Sequence, residues 1–228
     1  MEKEGTLYIV ATPIGNLEDM TFRAVRILNE AAYVLCEDTR VTGKLFARYE
    51  IKTSLKRYDA HSSAALQEGV IADLADGKVI ALVSDAGTPG ISDPGVHLVA
   101  QIYARQERVR VLAVPGPSSV TAAFSIAGLT GNQFSFLGFA PQKKGRETFF
   151  KTLPYEAMPA VFLESTHRIM KALQSLKEHQ PEALIVIARE MTKLHEEVVR
   201  GKADDLLTYF SEHQDHQKGE FVVIVSKA

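Results

Sequence analysis

The segment from Lys78 to Gly95 constrains the fold of this chain more than any other. It begins with the apolar, β-branched run Lys78-Val-Ile-Ala-Leu-Val83, which predicts a buried strand. Residues 84–95 then contain three glycines and two prolines, which fix the backbone in conformations that other residues adopt only at a cost. Loops at the carboxyl ends of strands in open α/β sheets are where small ligands bind. A tight strand-to-helix connection would explain a single Gly-Pro pair, but the high density of glycine and proline in residues 84–95 favours a binding loop.

Apolar strand-like runs alternate with helical stretches along the rest of the chain, which is typical of α/β folds with helical crossovers. We predict strands at 7–11, 33–36, 78–83, 109–114, 134–139, 160–164, 183–188, 196–201 and 221–225. We predict helices at 21–32, 41–49, 63–75, 95–106, 118–127, 166–178 and 203–212. The pattern restarts after Pro117. We therefore predict two α/β domains, residues 1–117 with a parallel sheet and residues 118–228, with a ligand cleft between them.

The first predicted helix has the clearest local signals. Thr21 is a suitable N-cap residue. The apolar residues that follow are predicted on the buried side of the helix: Phe22, Val25, Ile27 and Leu28.

Composition limits the classes of partner and the cellular location. The net charge of −2 over 228 residues argues against an extended nucleic-acid surface, so RNA contacts would need a local basic patch. The densest cationic segment is residues 141–151, with Lys143, Lys144, Arg146 and Lys151. No apolar run has the length of a membrane span, and the acidic first residues are unlike a signal peptide. The single cysteine, Cys36, cannot form an internal disulfide, so we predict a cytoplasmic protein without membrane association.

Several common chemistries lack their motifs. Gly90-Ile-Ser-Asp-Pro-Gly95 is not a nucleophile elbow, because its second glycine falls one residue late. No dinucleotide or Walker A motif occurs. Leu194-His-Glu-Glu197 lacks the second histidine of a zinc helix, and no cluster supports a metal around His213 and His216, so we expect no metal cofactor.

Seven segments, spread in order over nearly the whole chain, resemble one family. They are ATPIGNLEDMTFRA, CEDTR, VSDAGTPGISDPG, VPGPSS, ESTHRI, ARE with TKLHEE, and KGEFVVIV. The chain is similar to the tetrapyrrole methylase superfamily and, within it, to the small-subunit ribosomal RNA methyltransferase I family of cytidine ribose 2′-O-methyltransferases. Porphyrin-modifying relatives have Gly-Asp-Pro where this chain has Ala-Gly-Thr-Pro, which favours the RNA branch. The resemblance implies two α/β domains, S-adenosylmethionine (SAM) in the cleft between them, and a homodimer.

The resemblance also implies which residues contact SAM. These are Pro13, Gly87, Thr88, Pro89, Pro115 and Gly116 in the first domain, Ser118 and Ser119 at the start of the second domain, and Glu164, Ser165, Arg189 and Glu190 further along it. Asp85 and Asp93 are predicted either to balance the sulfonium charge or to cap the loop and the following helix.

The segment Glu37-Asp38-Thr39-Arg40 follows a predicted strand and offers candidates for proton handling. Glu37 and Asp38 remain alternative bases, and an N-cap cluster that opens the next helix would also explain the segment. Arg40 is predicted to act in catalysis or to bind phosphate. His195 with Glu196 and Glu197 is a weaker alternative cluster.

The predicted activity is SAM-dependent 2′-O-methylation of a cytidine in small ribosomal subunit RNA, with Lys143, Lys144 and Arg146 as RNA contacts. Two alternatives remain open at this point: C-methylation of a tetrapyrrole, and a regulator that binds SAM or RNA without catalysis. If the lysine segment is not the RNA surface, the side bearing Arg40, Lys44 and Arg48 is the next candidate.

Overall fold

A computed structural model describes residues 4–60, 62–91, 95–105 and 108–227. The chain forms two compact units, residues 1–118 (unit 1) and 119–228 (unit 2). The sequence analysis placed the boundary between the two domains after residue 117, one residue earlier.

Unit 1 is built on a parallel sheet with the strand order β3-β2-β4-β1-β5. Its strands are β1 (Gly5–Val10), β2 (Tyr33–Cys36), β3 (Leu55–Arg57), β4 (Val79–Leu82) and β5 (Val109–Val114). Its helices are α1 (Phe22–Glu30), α2 (Thr39–Arg48), α3 (Ala64–Ala75) and α4 (Gly95–Ala104), with a short 3₁₀ helix at Leu17–Asp19. Apolar residues of α1 and α2 pack on one set of strand side chains, and those of α3 and α4 on the other set. Because the strands are parallel, all their carboxyl ends lie at one edge of the sheet.

Unit 2 has a mixed sheet with the order β6-β7-β10-β8-β9, in which only β6 and β7 are parallel neighbours. Its strands are β6 (Ser135–Phe139), β7 (Ala160–Ser165), β8 (Leu184–Arg189), β9 (Glu197–Gly201) and β10 (Glu220–Ser226). Its helices are α5 (Ser119–Ile126), α6 (Arg146–Lys151), α7 (Ile169–His179) and α8 (Ala203–Glu212), with a 3₁₀ helix at Gln214–Gln217. Four phenylalanines, at 150, 162, 210 and 221, are fully buried in its core.

The predicted α/β class is confirmed, and each predicted strand has a counterpart in the structure. Among the described strands and α-helices, two were missed, and neither 3₁₀ helix was predicted. Strand β3 (Leu-Lys-Arg) is a three-residue edge strand with two charged side chains, so it carries no apolar pattern. Helix α6 lies in the cationic segment and is only six residues long, too short to show a helical period. Within the described residues, no helix is both long and apolar enough to cross a membrane.

The prediction for the first helix is confirmed in part. Thr21 caps α1, since its side chain accepts a hydrogen bond from the Ala24 amide, and Ile27 and Leu28 are buried. Phe22 was predicted to be buried, but 98% of it is exposed. As the first helical residue, it precedes the stripe of Ala24, Ile27 and Leu28 that contacts the sheet, and it lies on a different side of the helix.

Candidate functional site

The loops that follow β1 and β4 are joined at the carboxyl edge of the unit 1 sheet. Thr12 and Gly87 exchange two backbone hydrogen bonds, of 2.9 and 3.0 Å. The buried Thr12 hydroxyl also donates to the Ser84 carbonyl at 3.1 Å. Three hydrogen bonds therefore tie the loop after β1 to the loop after β4.

The loop after β5 joins the same assembly. The Thr88 hydroxyl donates to the Pro117 carbonyl at 3.1 Å, and Gly116 approaches the chain closely at Ala11. A Cβ atom on Gly116 would lie 3.0 Å from the Ala11 Cβ, so a larger residue would push the two loops apart. Gly87 has a φ of +80°, a conformation that favours glycine. The sequence thus brings three glycine- and proline-rich loops to one place.

The residues predicted to contact a ligand on these loops differ in exposure. Pro13, Gly87 and Pro89 are buried, Thr88, Ser118 and Ser119 are half-buried, and Asp85, Pro115 and Gly116 are exposed. Apart from the Asp85 carboxylate, the exposed and half-buried residues of unit 1 among them offer small side chains, hydroxyl groups and backbone amides and carbonyls. Such a surface is suited to a compact polar ligand, because few flexible side chains lose entropy on binding.

The loop after β2 is connected to this assembly through Asp85, whose carboxylate accepts a hydrogen bond from the Asp38 amide at 3.2 Å. The Asp38 side chain caps α2 by accepting from the Arg40 amide at 2.8 Å and forms an ion pair with the Arg40 guanidinium at 2.6 Å. These bonds from Arg40 hold the pKa of Asp38 well below its usual range. Asp38 is therefore used as a helix cap, whereas Glu37 is half-buried immediately before it. Asp93 lies outside the described residues.

In unit 2, Glu164 is a fully buried carboxylate held by two arginines. Its oxygens lie 3.0 Å from Nη1 of Arg146 and 2.8 Å from Nε of Arg168. The Ser165 amide donates to the same carboxylate at 2.9 Å, and the Ser165 hydroxyl accepts from Arg168 at 3.0 Å. Arg168 belongs to the ESTHRI motif, but sequence reasoning gave it no role. We call Glu164, Arg146 and Arg168 the buried ion cluster.

Arg189 and Glu190, at the end of β8, also have partners within unit 2. The buried Arg189 guanidinium donates to three backbone carbonyls, those of Lys218, His195 and Asp215. Glu190 accepts from the Lys193 ammonium and from the Glu220 amide, each at 2.9 Å. These contacts organise the loops of unit 2, and the contact of either residue with SAM stays a prediction.

The three cations predicted to contact RNA have different environments. Lys143 and Lys144 are exposed on the loop between β6 and α6, and no side-chain partner of either is found within the described parts of the chain. Arg146 is only 15% exposed in its side chain, because it pairs with Glu164 and donates to the Pro141 carbonyl at 2.9 Å. Arg146 thus stabilises the loop that carries the two lysines.

Two residues that connect the loops, Thr12 and Ser84, were not among the predicted site residues. Their buried hydroxyls lie between the strand ends, and the Ser84 hydroxyl donates to the carbonyls of Ala86 and Gly87, each at 3.3 Å. The only sequence feature that indicated a role for these two residues was their position in the Thr-Pro and Ser-Asp dipeptides of two predicted binding loops. The described residues include no group of three or more His, Cys, Asp or Glu side chains arranged to hold a metal ion.

Unit 1 also has an apolar hollow of about 360 Å³ beside α4. It is lined by Ile9, Pro89, Gly90, Gly95, Val96, Val99 and Ala100. Its lining contains no charged side chain, so it does not suit the polar groups of a ligand such as an amino acid.

A parallel sheet followed by a mixed sheet is also found in proteins of known family and structure. The family described as Tetrapyrrole (Corrin/Porphyrin) Methylases matches residues 6–207. Among solved structures, uroporphyrin-III-C-methyltransferase from Thermus thermophilus superimposes with a TM-score of 0.67 at 22% identity, covering 98% of this chain and 94% of that one. A cobalt precorrin-4 methyltransferase gives a TM-score of 0.69 at 16% identity, with 96% and 94% covered.

Relatives of known name are more similar in sequence. Ribosomal RNA small subunit methyltransferase I from Thermotoga maritima is 41% identical over 222 residues, which cover 97% of this chain and 98% of the relative. The protein of the same name from Xylella fastidiosa is 44% identical over 230 residues, covering 100% and 84%. The chain therefore belongs to the tetrapyrrole methylase family and, within it, to the ribosomal RNA small subunit methyltransferase I group.

Proposed function

We propose that this protein transfers a methyl group from SAM to the ribose 2′-hydroxyl of a cytidine in small-subunit ribosomal RNA. The observation that carries the proposal is the loop assembly of unit 1, in a chain 41% and 44% identical over nearly its whole length to methyltransferases named for this RNA. The solved structures bear the names of tetrapyrrole enzymes, but at 22% and 16% identity they support only the fold.

The loops of unit 1 suit SAM in chemistry. Backbone amides and carbonyls beside Gly87 and Gly116 are groups that can bind an amino acid or a nucleoside, and a Cβ at either glycine would narrow or strain the loops. The exposed Asp85 carboxylate supplies negative charge suited to a sulfonium. When bound, SAM supplies an already activated methyl group.

The contribution of the protein is then mainly alignment. Holding the acceptor oxygen in line with the methyl carbon and sulfur can lower the barrier by roughly 7–11 kcal/mol. A base that accepts the hydroxyl proton adds to this effect. Between the two predicted carboxylates we favour Glu37, which is half-buried directly after β2, over Asp38, which caps α2. Because 86% of the Arg40 side chain is exposed, we propose that Arg40 contacts an RNA phosphate.

We further propose that the protein is a homodimer and that a second copy covers the apolar hollow. Strand β5 is a sheet edge, and beside the hollow Val96 and Tyr103 of α4 are 47% and 65% exposed. An edge strand next to exposed apolar side chains favours pairing with another chain. Light scattering should give twice the chain mass at micromolar concentration, and Val96→Asp should shift the protein toward monomer. A wild-type monomer would overturn this proposal.

The activity is tested by supplying methyl-labelled SAM with either small-subunit RNA or a uroporphyrinogen-type tetrapyrrole. Label in a ribose methyl group of a cytidine, located by mass spectrometry, is the expected result. Label in the tetrapyrrole alone would assign the other branch, and SAM binding without turnover on either would indicate a regulator. Activity abolished by a metal chelator, or calorimetry without SAM binding, would contradict the proposed mechanism.

A further inference from the structure

Strand β6 carries an irregularity that changes the direction of its last side chain. Phe136 pairs with Val161 of β7 and Phe139 with Leu163, so β6 advances three residues while β7 advances two. The extra residue falls at Leu137–Gly138, and Gly138 has a φ of +68°. This is a β-bulge, a feature that re-aims side chains and is frequent beside active sites.

The bulge determines that Phe139 points away from the core. Leu137 packs against the buried cluster of unit 2, and strict alternation would place Phe139 on that same face. With the extra residue, Phe139 instead shares the opposite face with Phe136, and it is 55% exposed. Elsewhere in unit 2, Phe149, Phe150 and Phe162 pack edge to face with one another, and Phe150 and Phe162 are fully buried, so these two rings are not accessible to a ligand.

The chain immediately after Phe139 is fixed by the buried ion cluster. Arg168 donates to the Ala140 carbonyl at 3.3 Å and Arg146 to the Pro141 carbonyl at 2.9 Å. Both arginines are anchored on Glu164, so the direction of the chain at Phe139 is held by two charged groups with little exposure. The backbone that carries this partly exposed ring is thereby held in place.

The same loop supplies positive charge. Lys143 and Lys144 follow within five residues of Phe139, are exposed, and have no ion-pair partner within the described residues. The buried ion cluster itself has two cations for one anion, and Nη2 of Arg146 has no hydrogen-bond acceptor among the described residues. Single-stranded nucleic acids are bound by this combination, in which bases stack on exposed rings and cations contact phosphates.

We propose that Phe139 is a stacking platform for an unpaired base of the substrate RNA, with Lys143 and Lys144 on the adjoining phosphates. This inference rests on the proposed function and adds a residue that selects single-stranded over paired RNA. A duplex offers no free base face to the ring.

The test compares Phe139→Ala, Phe139→Leu and Phe139→Trp in the full chain. The probe is a short single-stranded RNA from the small subunit that carries one 2-aminopurine, free or annealed to its complement. Stacking on a ring is typically lost with roughly a 5- to 150-fold weaker Kd. We expect this loss for Phe139→Ala and Phe139→Leu on the single strand only, with near-wild-type binding by Phe139→Trp. The 2-aminopurine fluorescence should be quenched by the wild type and by Phe139→Trp alone.

The lysine pair gives the matched control. Lys143→Ala with Lys144→Ala should flatten the dependence of affinity on salt, whereas the Phe139 variants should keep the wild-type slope. SAM binding should be unchanged in all variants, because Lys143 and Lys144 are exposed and Phe139 is 55% exposed. Phe139→Leu keeps an apolar side chain and so controls for packing lost in Phe139→Ala. Equal affinity of Phe139→Ala and wild type, or an equal loss on duplex RNA, would overturn the inference. Wild-type protein that neither binds nor methylates the RNA would instead refute the proposed function.

Discussion

At the scale of single residues, the site depends on backbone conformations that few side chains allow. Gly87 combines a positive φ with two hydrogen bonds to Thr12, so it fixes the geometry between two loops. Its surroundings would accept a methyl group, since a Cβ at this position would have a methyl carbon of Ile14 as its nearest neighbour, at 3.4 Å. The backbone conformation, and not lack of space, is what requires glycine here.

Gly87→Ala should therefore destabilise the protein by about 1–2 kcal/mol, the cost of the left-handed conformation for an L-residue. We also expect weaker SAM binding, because the Thr12–Gly87 pairing shifts. Denaturant unfolding and calorimetry measure the two effects. Gly43→Ala is the control: it lies in α2 with open space around it and should stabilise the helix slightly. Similar behaviour of both variants would contradict the assigned role of Gly87.

Substitutions of Asp38 can separate its role as a helix cap from a role in accepting the hydroxyl proton. Asp38→Asn keeps an N-cap acceptor but removes the charge, whereas Asp38→Ala removes both. If Asp38 is only a cap, the thermal unfolding temperature should fall for the alanine variant and change little for asparagine, with turnover near wild type in asparagine. Glu37→Gln should lower turnover far more than SAM affinity. If Asp38→Asn folds normally but loses most of its turnover, Asp38 and not Glu37 accepts the proton.

At the scale of elements, the buried ion cluster connects the end of β7 to the start of α6 and the turn before α7. Removing Glu164 would leave two guanidinium groups close together without their common anion. Breaking a buried pair in this way typically costs about 3–5 kcal/mol. Glu164→Gln should thus strongly destabilise unit 2 in denaturant unfolding. Glu147→Gln, which breaks an exposed pair with Lys151 on α6, should leave stability nearly unchanged.

A second cluster joins α8, β9 and the 3₁₀ helix at Gln214–Gln217. The Tyr209 hydroxyl contacts Glu197 and lies 2.9 Å from Nδ1 of His216. Burial, together with the Glu197 carboxylate, raises the pKa of Tyr209 to about 12. The folded protein then retains this proton where an unfolded chain, with a phenol pKa of about 10, loses it. The contribution of Tyr209 to stability should be constant below about pH 10 and fall as pH rises toward 12, and Tyr209→Phe should remove that part of the fall. An identical alkaline profile for the variant would contradict this assignment.

At the scale of the whole molecule, a net charge of −2 must be reconciled with an RNA substrate. Several cations are paired within the fold: Arg146 and Arg168 share the one Glu164 carboxylate, and Arg189 pairs with Glu197. Lys143→Ala with Lys144→Ala should weaken RNA binding and lower the slope of log affinity against log salt by about 0.7 for each phosphate that the variant no longer neutralises. Arg146 is left unchanged in this variant, because its loss would disturb the fold. An unchanged slope would indicate that the RNA instead contacts the side of the protein that bears Arg40, Lys44 and Arg48.

The sequence by itself determined the alternation of strands and helices, the cap at Thr21 and the identity of the loops that carry the motifs. These are local properties: β-branched runs, N-cap chemistry and glycine or proline in turns act over a few residues. The same local reasoning failed for β3 and α6, whose three and six residues are too few to show a period.

Tertiary structure alone decided what the charged and aromatic side chains do. Asp85, Arg146 and Arg189 were predicted as site groups, and folding brings a distant partner to each side chain. These partners are the Asp38 amide, the Glu164 carboxylate and the Lys218 carbonyl. The exposure of Phe139 depends on one extra residue in the pairing of β6 with β7, which a period-two pattern does not reveal. Contacts between segments that are distant in sequence determine which side chains are buried and which charges are paired. A sequence pattern does not contain the spatial distances between those segments.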